Sequence, residues 1–269
     1  MTIRIPPLVN LVGVALLGAV AGVLAAAPAQ AATPIAYVAM GDSYAAGVGA
    51  GGYDLSSGIC SRSPRSYTAL WAGSHAVASF TSVACRGATT TDVLNNQLGA
   101  LGGGTTMVTI TIGGNDAGFV QVVTTCLLGA DGACGFAANA ARSYATTILP
   151  GKLDRTYAAI RSRAPHARVV VLGYPRLFEL TASCGRFGMD VTKRRALDGA
   201  ADALAGAIAA RAGAAGFNFV DVRGVFAGHG ICAGQPWINT TTWPVTDSYH
   251  PNSAGYRYGY LVALDGLTG

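Results

Sequence analysis

Short apolar segments alternate with longer segments of helical character along most of the chain. The apolar segments are rich in β-branched residues and end at glycine or polar residues, which is typical of buried strands. Five strands are therefore predicted, over Pro34–Met40, Val77–Ala84, Thr105–Ile112, Arg168–Leu172 and Phe217–Val222.

Helices are predicted between and after these strands. They cover Ser66–Ser74, Thr91–Leu98, Phe136–Arg163, Val191–Ala215 and Ser253–Leu267. Pro150 is expected to break the longest unit because proline lacks an N–H and its ring clashes with the preceding turn. Ser63 or Ser66 is expected near the start of the first helix, and one of the three threonines at positions 89–91 is expected to cap the second.

This alternation favours an α/β fold, a three-layer α/β/α sandwich built on a parallel sheet that is covered on both faces. No internal repeat and no proline-rich or charged linker divides residues 32–269, so one domain is expected there. The glycine-rich patches Gly47–Gly52 and Gly102–Gly104 are short enough to be loops. In such sheets the functional site lies beyond the carboxyl ends of the strands.

The first 31 residues resemble a secretory signal peptide. Arg4 gives the beginning a positive charge, Leu8–Ala27 is almost wholly apolar, and Ala29-Gln30-Ala31 is a small-residue cleavage signal. We expect cleavage after Ala31, export from the cell and no stable membrane insertion afterwards. A retained transmembrane anchor is the alternative, since the apolar run is long enough to be considered.

The charge of the protein does not indicate a nucleic-acid partner. The formal net charge is +5, but only 12% of the residues are charged and the basic residues are scattered. The densest cluster, Lys193-Arg194-Arg195, falls within a predicted helix, where a solvated face explains it. We therefore expect no nucleic-acid binding. The sequence is silent on oligomeric state, for which a monomer is the default.

Six cysteines follow the predicted cleavage site. An even number behind an export signal favours disulfides, and the absence of a CxxC spacing makes a zinc site a weak alternative. Six cysteines allow 15 pairings. Pairing of neighbours along the chain gives Cys60–Cys85, Cys126–Cys134 and Cys184–Cys232.

Ser43 is the first candidate for chemistry. It lies in Gly41-Asp42-Ser43, directly after the first predicted strand, where a turn can expose its hydroxyl. Ala45 departs from the G-x-S-x-G pattern of an α/β-hydrolase elbow. A serine in a turn after a strand is common, so this motif alone favours a structural role.

Asn115 and Gly87 follow two other predicted strands and are candidate oxyanion donors. Asn115 comes after two glycines at the end of the strand TTMVTITI, and its neutral amide can stabilise developing negative charge without acting as a competing base. The structural alternative is an Asn-Asp helix cap, a role that Asp116 can fill. Gly87 is a weaker candidate. Its backbone N–H is a plausible oxyanion donor only if the other motifs form a site, and otherwise it is an ordinary loop glycine.

His250 is the candidate base for Ser43, because a serine becomes nucleophilic only when a base takes its proton. It lies in a loop before the last predicted helix, with Asp247 three residues upstream, and Pro251 suits the first turn of that helix. Asp247 can accept from Nδ1–H of the imidazole and set its tautomer. The alternative is a surface histidine beside a capping aspartate.

Taken together, these motifs resemble those of the GDSL/SGNH hydrolase family. They occur in the family's block order, GDS, Gly, GGND and DxxHP, between Tyr37 and Tyr256. The segments MGDSYAAGVGAG, TITIGGNDAGF and SYHPN resemble more narrowly the secreted GDSL lipases and phospholipases of the Streptomyces type.

The resemblance implies a flavodoxin-like fold and hydrolysis of carboxylic esters through an acyl-enzyme, with Ser43 as nucleophile and His250 as base. The oxyanion hole would comprise the N–H of Ser43, the N–H of Gly87 and the side chain of Asn115. The neighbour pairing of the cysteines matches the pattern of this group. No metal or organic cofactor is implied.

Two questions stay open at this stage. In several secreted relatives the histidine is oriented by a main-chain carbonyl two residues before it, here that of Ser248, yet Asp247 occupies the position of the family's acid. We expect Asp247 to be the partner. For the substrate, we expect a lipid or other acyl ester; a carbohydrate acetylesterase and a non-catalytic binding domain on the same fold are the alternatives.

Overall fold

The structure is a computed structural model that describes residues 1–8, 34–180, 184–185 and 188–268. It contains two compact units, residues 1–33 and 34–269. In the first unit, residues 1–8 are exposed and contain no helix or strand. The apolar part of the predicted signal peptide and its cleavage site after Ala31 lie outside the described residues.

The second unit is built on a five-stranded sheet in which every pairing is parallel. The strands are β1 (Ile35–Gly41), β2 (Val77–Ser82), β3 (Met107–Thr111), β4 (Arg168–Leu172) and β5 (Asn218–Val220). Their order across the sheet is β2-β1-β3-β4-β5. This is the flavodoxin-like order, in which the chain reverses its winding between β1 and β3 and leaves a crevice at their carboxyl ends. The predicted fold class is confirmed.

Helices cover the sheet and occupy most of the remaining chain. The α-helices are α1 (Ser43–Ala46), α2 (Tyr67–Ser74), α3 (Thr90–Asp92), α4 (Phe119–Leu128), α5 (Asp131–Thr147), α6 (Leu149–Arg163), α7 (Val191–Ala214) and α8 (Val262–Thr268). Side chains predicted as caps begin two of them: Ser66 accepts from the N–H of Ala69, and Thr89 forms a capping box with Asp92. No helix among the described residues is long and apolar enough to cross a membrane.

The predicted helix Phe136–Arg163 is two helices, and their boundary lies before Pro150. Helix α5 ends at Thr147, and α6 begins at Leu149 with Pro150 in its first turn. Proline is tolerated there because the first N–H groups of a helix have no intrahelical acceptor. Helix α5 also begins earlier than predicted, and α4, which begins after Gly118 without a side-chain cap, was not predicted.

The last predicted helix also begins differently from the expectation. Pro251 is not in its first turn, because it forms a β-bridge with Ile238. The side chain of Asn252 accepts instead from the N–H of Gly255, and a π-helical segment, Gly255–Leu261, precedes α8. His250 is therefore held by a bridge between two loops and not by a helix start.

Three disulfides connect the six cysteines, all of which lie in the described part of the chain. The pairs are Cys60–Cys85, Cys126–Cys134 and Cys184–Cys232. Each closes a chain segment and so restricts the unfolded state, with a stabilisation of about 2–4 kcal/mol.

Thiol titration of the denatured, unreduced protein is expected to find no free thiol, because all six cysteines are paired. Titration after reduction is the control and should return all six. Two or more free thiols per chain without reductant would contradict the three pairs, and peptide mapping would identify the one that is missing.

Candidate active site

The turn that carries Ser43 is formed by close packing of β1 against β3. Gly41 has φ +119°, and a Cβ added there would lie 2.1 Å from the carbonyl oxygen of Thr111. Only glycine fits this approach. The N–H of Asp42 then donates to the same oxygen at 2.9 Å, and the Asp42 side chain caps the short helix α1 by accepting from the N–H of Tyr44. Ser43 is consequently the first helical residue after β1.

A buried glutamine, Gln97, supports the same turn from beneath. Its Oε1 accepts from the N–H of Gly41 at 2.7 Å, and its Nε2 donates to the carbonyl of Gly41 at 2.9 Å. Both polar groups of a strand end are thereby satisfied away from water, which a buried backbone requires. Nothing in the local sequence pattern distinguishes Gln97 from a surface residue, so its role could not be predicted.

His250 lies beside Ser43 at hydrogen-bonding distance. Its Nε2 is 2.8 Å from Ser43 Oγ, and its Nδ1 is 3.0 Å from the carbonyl oxygen of Ser248. Tyr249 has φ +62°, a left-handed conformation that is strained for tyrosine. The Tyr44 hydroxyl donates to the carbonyl of Tyr249 at 2.9 Å and holds this turn in place. An acceptor at Nδ1 leaves the Nε2 lone pair directed at the serine hydroxyl.

Burial keeps the imidazole of His250 neutral at physiological pH. The pKa of His250 is lowered from 6.5 to about 4, mainly because burial disfavours the imidazolium. The Ser248 carbonyl and the charge of Asp247 oppose this shift, whereas the positive charge of Arg86 adds to it.

The expected hydrogen bond between the Asp247 carboxylate and the His250 imidazole is wrong, because His250 Nδ1 pairs with the Ser248 carbonyl and only the backbone carbonyl of Asp247 contacts His250, by accepting from its N–H at 3.4 Å. Its Oδ1 accepts from the Tyr53 hydroxyl at 2.7 Å, and the Tyr53 oxygen accepts in turn from the N–H of Gly49 at 2.9 Å. Asp247 thus connects the histidine loop to the glycine-rich loop after α1. The physical reason is that the turn at Tyr249 presents the Ser248 carbonyl to Nδ1 and leaves the carboxylate nearer to Tyr53.

Three candidate oxyanion donors lie in one groove. Ser43, Gly87 and Asn115 all line it together with His250. Gly87 adopts φ +80°, a conformation that glycine allows. No acceptor among the described residues pairs with the backbone N–H of Ser43 or of Gly87. Asn115 Nδ2 donates one hydrogen to the carbonyl of Ala88 at 3.0 Å, which orients the amide and leaves its second hydrogen available.

The loop of Gly87 is fixed by covalent and hydrogen bonds. The disulfide Cys60–Cys85 joins it to the preceding loop, and the N–H of Cys85 donates to the carbonyl of Gly41 at 3.0 Å. Asp116 anchors the following residues, since its carboxylate accepts from the N–H and the hydroxyl of Thr90 at 2.8 and 2.7 Å. Asp116 therefore holds the first residue of α3, whose cap is Thr89, whereas α4, the helix that follows the Asn-Asp pair, begins without a side-chain cap.

The groove has a volume of about 490 Å³, and its wall is largely apolar. Three large apolar side chains on its rim are well exposed: Ile59 at 79%, Val245 at 62% and Val120 at 57%. Exposed apolar side chains that cluster around a groove mark a binding surface for apolar groups. The arrangement thus combines a hydrogen-bonded serine–histidine pair, hydrogen-bond donors and an apolar wall.

Comparison with known proteins assigns the chain to a family. Residues 39–258 match the model of the GDSL-like lipase/acylhydrolase family. The chain belongs to this family. A lipase of Streptomyces rimosus is 51% identical over 94% of this chain and 93% of its own length, and lipase 1 of Streptomyces coelicolor is 48% identical over 96% and 97%.

Two solved structures are similar to this GDSL-like acylhydrolase over most of their length. The extracellular lipase of S. rimosus has a TM-score of 0.84 at 51% identity, and the phospholipase A1 of Streptomyces albidoflavus has a TM-score of 0.83 at 48% identity. Each alignment covers 86% of this chain and 98% of the other. The protein is accordingly an ester hydrolase enzyme.

A second buried network joins the serine turn of this GDSL-like acylhydrolase to the turn of Asn115. The Tyr174 hydroxyl donates to Asp42 and accepts from the N–H of Gly114 at 3.0 Å. Burial raises the pKa of Asp42 to about 7, although its hydrogen bonds with Tyr174 and Tyr44 counteract the shift. Tyr174 follows β4, so its position beyond a strand end was the signal that could have identified it.

In the GDSL-like acylhydrolase, Asp247→Asn is expected to lower kcat by about tenfold at most. The Ser248 carbonyl still orients His250, and the carbonyl oxygen of the new side-chain amide can still accept from the Tyr53 hydroxyl. Steady-state kinetics of the variant measure the effect. Tyr53→Phe is the companion variant, since it breaks the same link without altering charge. A loss near 10⁴, as for a buried triad aspartate, would show that the carboxylate orients the imidazole in solution.

Proposed function

We propose that this GDSL-like acylhydrolase cleaves carboxylic esters of acyl lipids through a Ser43–His250 dyad and an acyl-enzyme intermediate. The observation that carries the proposal is the 2.8 Å contact between Ser43 Oγ and His250 Nε2 within an apolar groove. An acyl chain is favoured over an acetylated sugar because the rim of the groove is apolar and exposed. The described relatives named as a lipase and a phospholipase A1 support the same substrate class.

The proposed mechanism begins with transfer of the Ser43 proton to His250 Nε2 as Oγ attacks the ester carbonyl carbon. The carbonyl oxygen becomes an oxyanion that accepts from the N–H of Ser43, the N–H of Gly87 and the amide of Asn115. The Ser248 carbonyl, hydrogen-bonded to Nδ1–H, stabilises the imidazolium by its dipole.

Collapse of this intermediate breaks the bond to the leaving alcohol, which takes the proton from His250. A water molecule then gives a proton to His250 and attacks the acyl-enzyme. The second tetrahedral intermediate releases the carboxylic acid, and the proton returns to Ser43. The dyad therefore ends the cycle in its starting protonation state.

The proposal predicts that activity persists at mildly acidic pH. A base must be neutral to accept the serine proton, so kcat/KM falls as pH drops through the pKa of His250, which burial lowers to about 4. At pH 5.5, kcat/KM should stay close to its value at pH 7. An unperturbed histidine would lose about tenfold over the same interval. The measurement is a kcat/KM profile from pH 3.5 to 8, with activity after return to pH 7 as the control for unfolding. A midpoint near pH 6.5 would reject a buried His250 as the base.

We also infer export of the chain with cleavage after Ala31 and action outside the cell as a monomer. The charged, apolar and small-residue order of the first 31 residues, the three disulfides and a relative described as an extracellular lipase support this inference. Amino-terminal sequencing of protein from the culture medium tests the cleavage, with Ala32 expected as the first residue. Size-exclusion chromatography with light scattering tests the monomer.

The substrate class is tested by a panel of esters. The panel contains p-nitrophenyl esters from acetate to palmitate, a phosphatidylcholine and an acetylated xylooligosaccharide. The proposal expects cleavage of acyl esters and of the phospholipid. Cleavage of the acetylated sugar alone would favour a carbohydrate esterase. No turnover in the whole panel, together with no labelling of Ser43 by a fluorophosphonate, would favour a binding domain on this fold.

A further inference from the structure

A second, smaller cavity lies behind the wall of the catalytic groove. Its volume is about 60 Å³, and it is lined by residues of α4, α5, α7 and the segment that follows β4. The groove and the cavity share two lining residues, Phe119 and Val123, both on α4. These two side chains therefore form the partition between the space next to Ser43 and the space beneath α4.

The cavity exists because small residues face it from two long helices. Ala141 lies on α5, and Ala200 and Ala201 lie on α7, so the helices leave a gap that larger side chains would fill. Leu197 and Leu204, one turn away on α7, complete an apolar surface. These alanines are half-buried, so the space is a pocket beside the catalytic groove that a small apolar group can enter.

The chemistry of the lining selects an apolar occupant. Only two lining side chains carry hydroxyl groups, and both hydroxyls are engaged elsewhere. Tyr44 donates to the carbonyl of Tyr249, and Tyr174 bonds with Asp42 and Gly114. A cavity without available polar partners does not hold water well but accepts hydrocarbon.

Phe119 is placed to separate the two spaces reversibly. It is the first residue of α4, is half-buried, and its ring centroid lies 6.1 Å from that of His250 and 6.3 Å from that of Tyr44. The start of α4 has no side-chain cap, whereas its other end is tied to α5 by Cys126–Cys134. An aromatic side chain can exchange rotamers while the helix that carries it remains anchored.

We propose that this cavity binds the far end of a medium or long acyl chain and that Phe119 closes it when the chain is short. The inference rests on the proposed hydrolysis of acyl esters and extends it to chain-length selection. The carboxyl end of the acyl group reacts at Ser43, the first carbons lie in the groove beside Phe119, and the terminal carbons pass Val123 into the space lined by alanines. Acetate and butyrate end before the partition, so their hydrolysis does not use the cavity.

Filling the cavity is the first test. In Ala201→Leu, the new side chain occupies the space. We expect kcat/KM for decanoate and palmitate esters to fall roughly tenfold or more, because methylene groups that no longer fit the pocket lose their binding energy in the transition state. Acetate and butyrate esters should stay within about twofold. Ala203→Leu is the matched control: it makes the same change on α7 at a residue outside the cavity lining, and its chain-length profile should equal that of the wild type.

Removing the partition is the second test, and it should increase the preference for long acyl chains. Phe119→Ala joins the groove to the cavity, and the ratio of kcat/KM for palmitate to that for acetate is expected to rise by about tenfold. Phe136→Ala makes the same truncation at an exposed position of α5 and should leave the ratio unchanged. Thermal unfolding confirms that each variant is folded. A folded Ala201→Leu and a folded Phe119→Ala that both retain the wild-type profile would overturn the proposal.

Binding without turnover separates this proposal from the catalytic one. The fluorescent fatty acid cis-parinaric acid is titrated into Ser43→Ala and into Ser43→Ala carrying Ala201→Leu. The subsite predicts at least tenfold weaker binding to the second protein, whether or not the wild type turns over esters. Equal affinities would reject the subsite. Absence of fluorophosphonate labelling of the wild type at Ser43 would instead reject the proposed nucleophile. The affinities for the fatty acid would still decide whether the subsite exists.

Discussion

Ser43→Ala is expected to lower kcat for ester hydrolysis by about 10⁶ while the protein stays folded. Without Oγ no acyl-enzyme forms, and the oxyanion donors can assist only a direct attack by water. The Ser43 side chain bonds only with His250 among the described residues, so its loss removes no structural contact of the core. Single-turnover and steady-state assays with a p-nitrophenyl ester measure the effect, and circular dichroism reports the fold.

The control for this substitution is Ser74→Ala. Ser74 lies at the end of α2, where its hydroxyl bonds with carbonyl groups of its own helix, and the variant should retain full activity. A fluorophosphonate should label the wild type and Ser74→Ala but not Ser43→Ala. If Ser43→Ala keeps a tenth of the wild-type activity in a folded state, another group is the nucleophile.

Asn115→Ala is expected to lower kcat by about 10²–10³ with little change in KM. The charge on the carbonyl oxygen develops only after binding, so the loss of a donor to it affects the transition state far more than the bound ester. The contact of Asn115 with the Ala88 carbonyl matters here, because it holds the amide nitrogen at the groove before substrate arrives. Because the amide is already in place, one such donor stabilises the transition state by roughly 2.7–4 kcal/mol, judged from the loss of activity when comparable donors are removed.

Two further variants make the test specific. Asn115→Asp keeps the shape of the side chain but replaces the donor with a negative charge, so it should be at least as inactive as Asn115→Ala. Asn95→Ala changes an exposed asparagine in the π-helical segment Val93–Gln97 and should be neutral. A fall in kcat/KM caused wholly by a higher KM would show that Asn115 holds the substrate and not the oxyanion.

Most of the fold could be predicted because its signals are local. The apolar run of β4, Arg168–Leu172, has the predicted bounds, and Ser66 and Thr89 begin helices as their residue types suggested. The parallel sheet followed from the alternation of strands and helices, and a parallel sheet brings its strand ends together. For that reason, Ser43 after β1 and Asn115 after β3 could be expected at one edge from their positions alone.

Other features could not be predicted, because they depend on partners distant in the chain. The sequence contains two candidate acceptors for Nδ1 of His250, the Asp247 carboxylate and the Ser248 carbonyl. The left-handed turn at Tyr249 places the Ser248 carbonyl at Nδ1, and this turn could not be predicted from the sequence. Gln97 contacts Gly41, which is 56 positions away along the chain, and Tyr174 contacts Asp42, which is 132 positions away. Hydrophobic periodicity depends on residues close together in the sequence, so it cannot predict contacts between such distant residues.

For the cavity beneath α4, two of the helices that line it could be predicted from the sequence, but the space between them could not. Alanine is a strong helix former, so the alanines of α5 and α7 predicted helices correctly. Whether an alanine packs closely or leaves a space is decided only when two helices meet, because that depends on the side chains opposite each other across the interface. Residue types and their spacing thus predicted a chemistry for Ser43, Gly87, Asn115 and His250, whereas the packing of distant segments decided their orientation and the space available to a substrate.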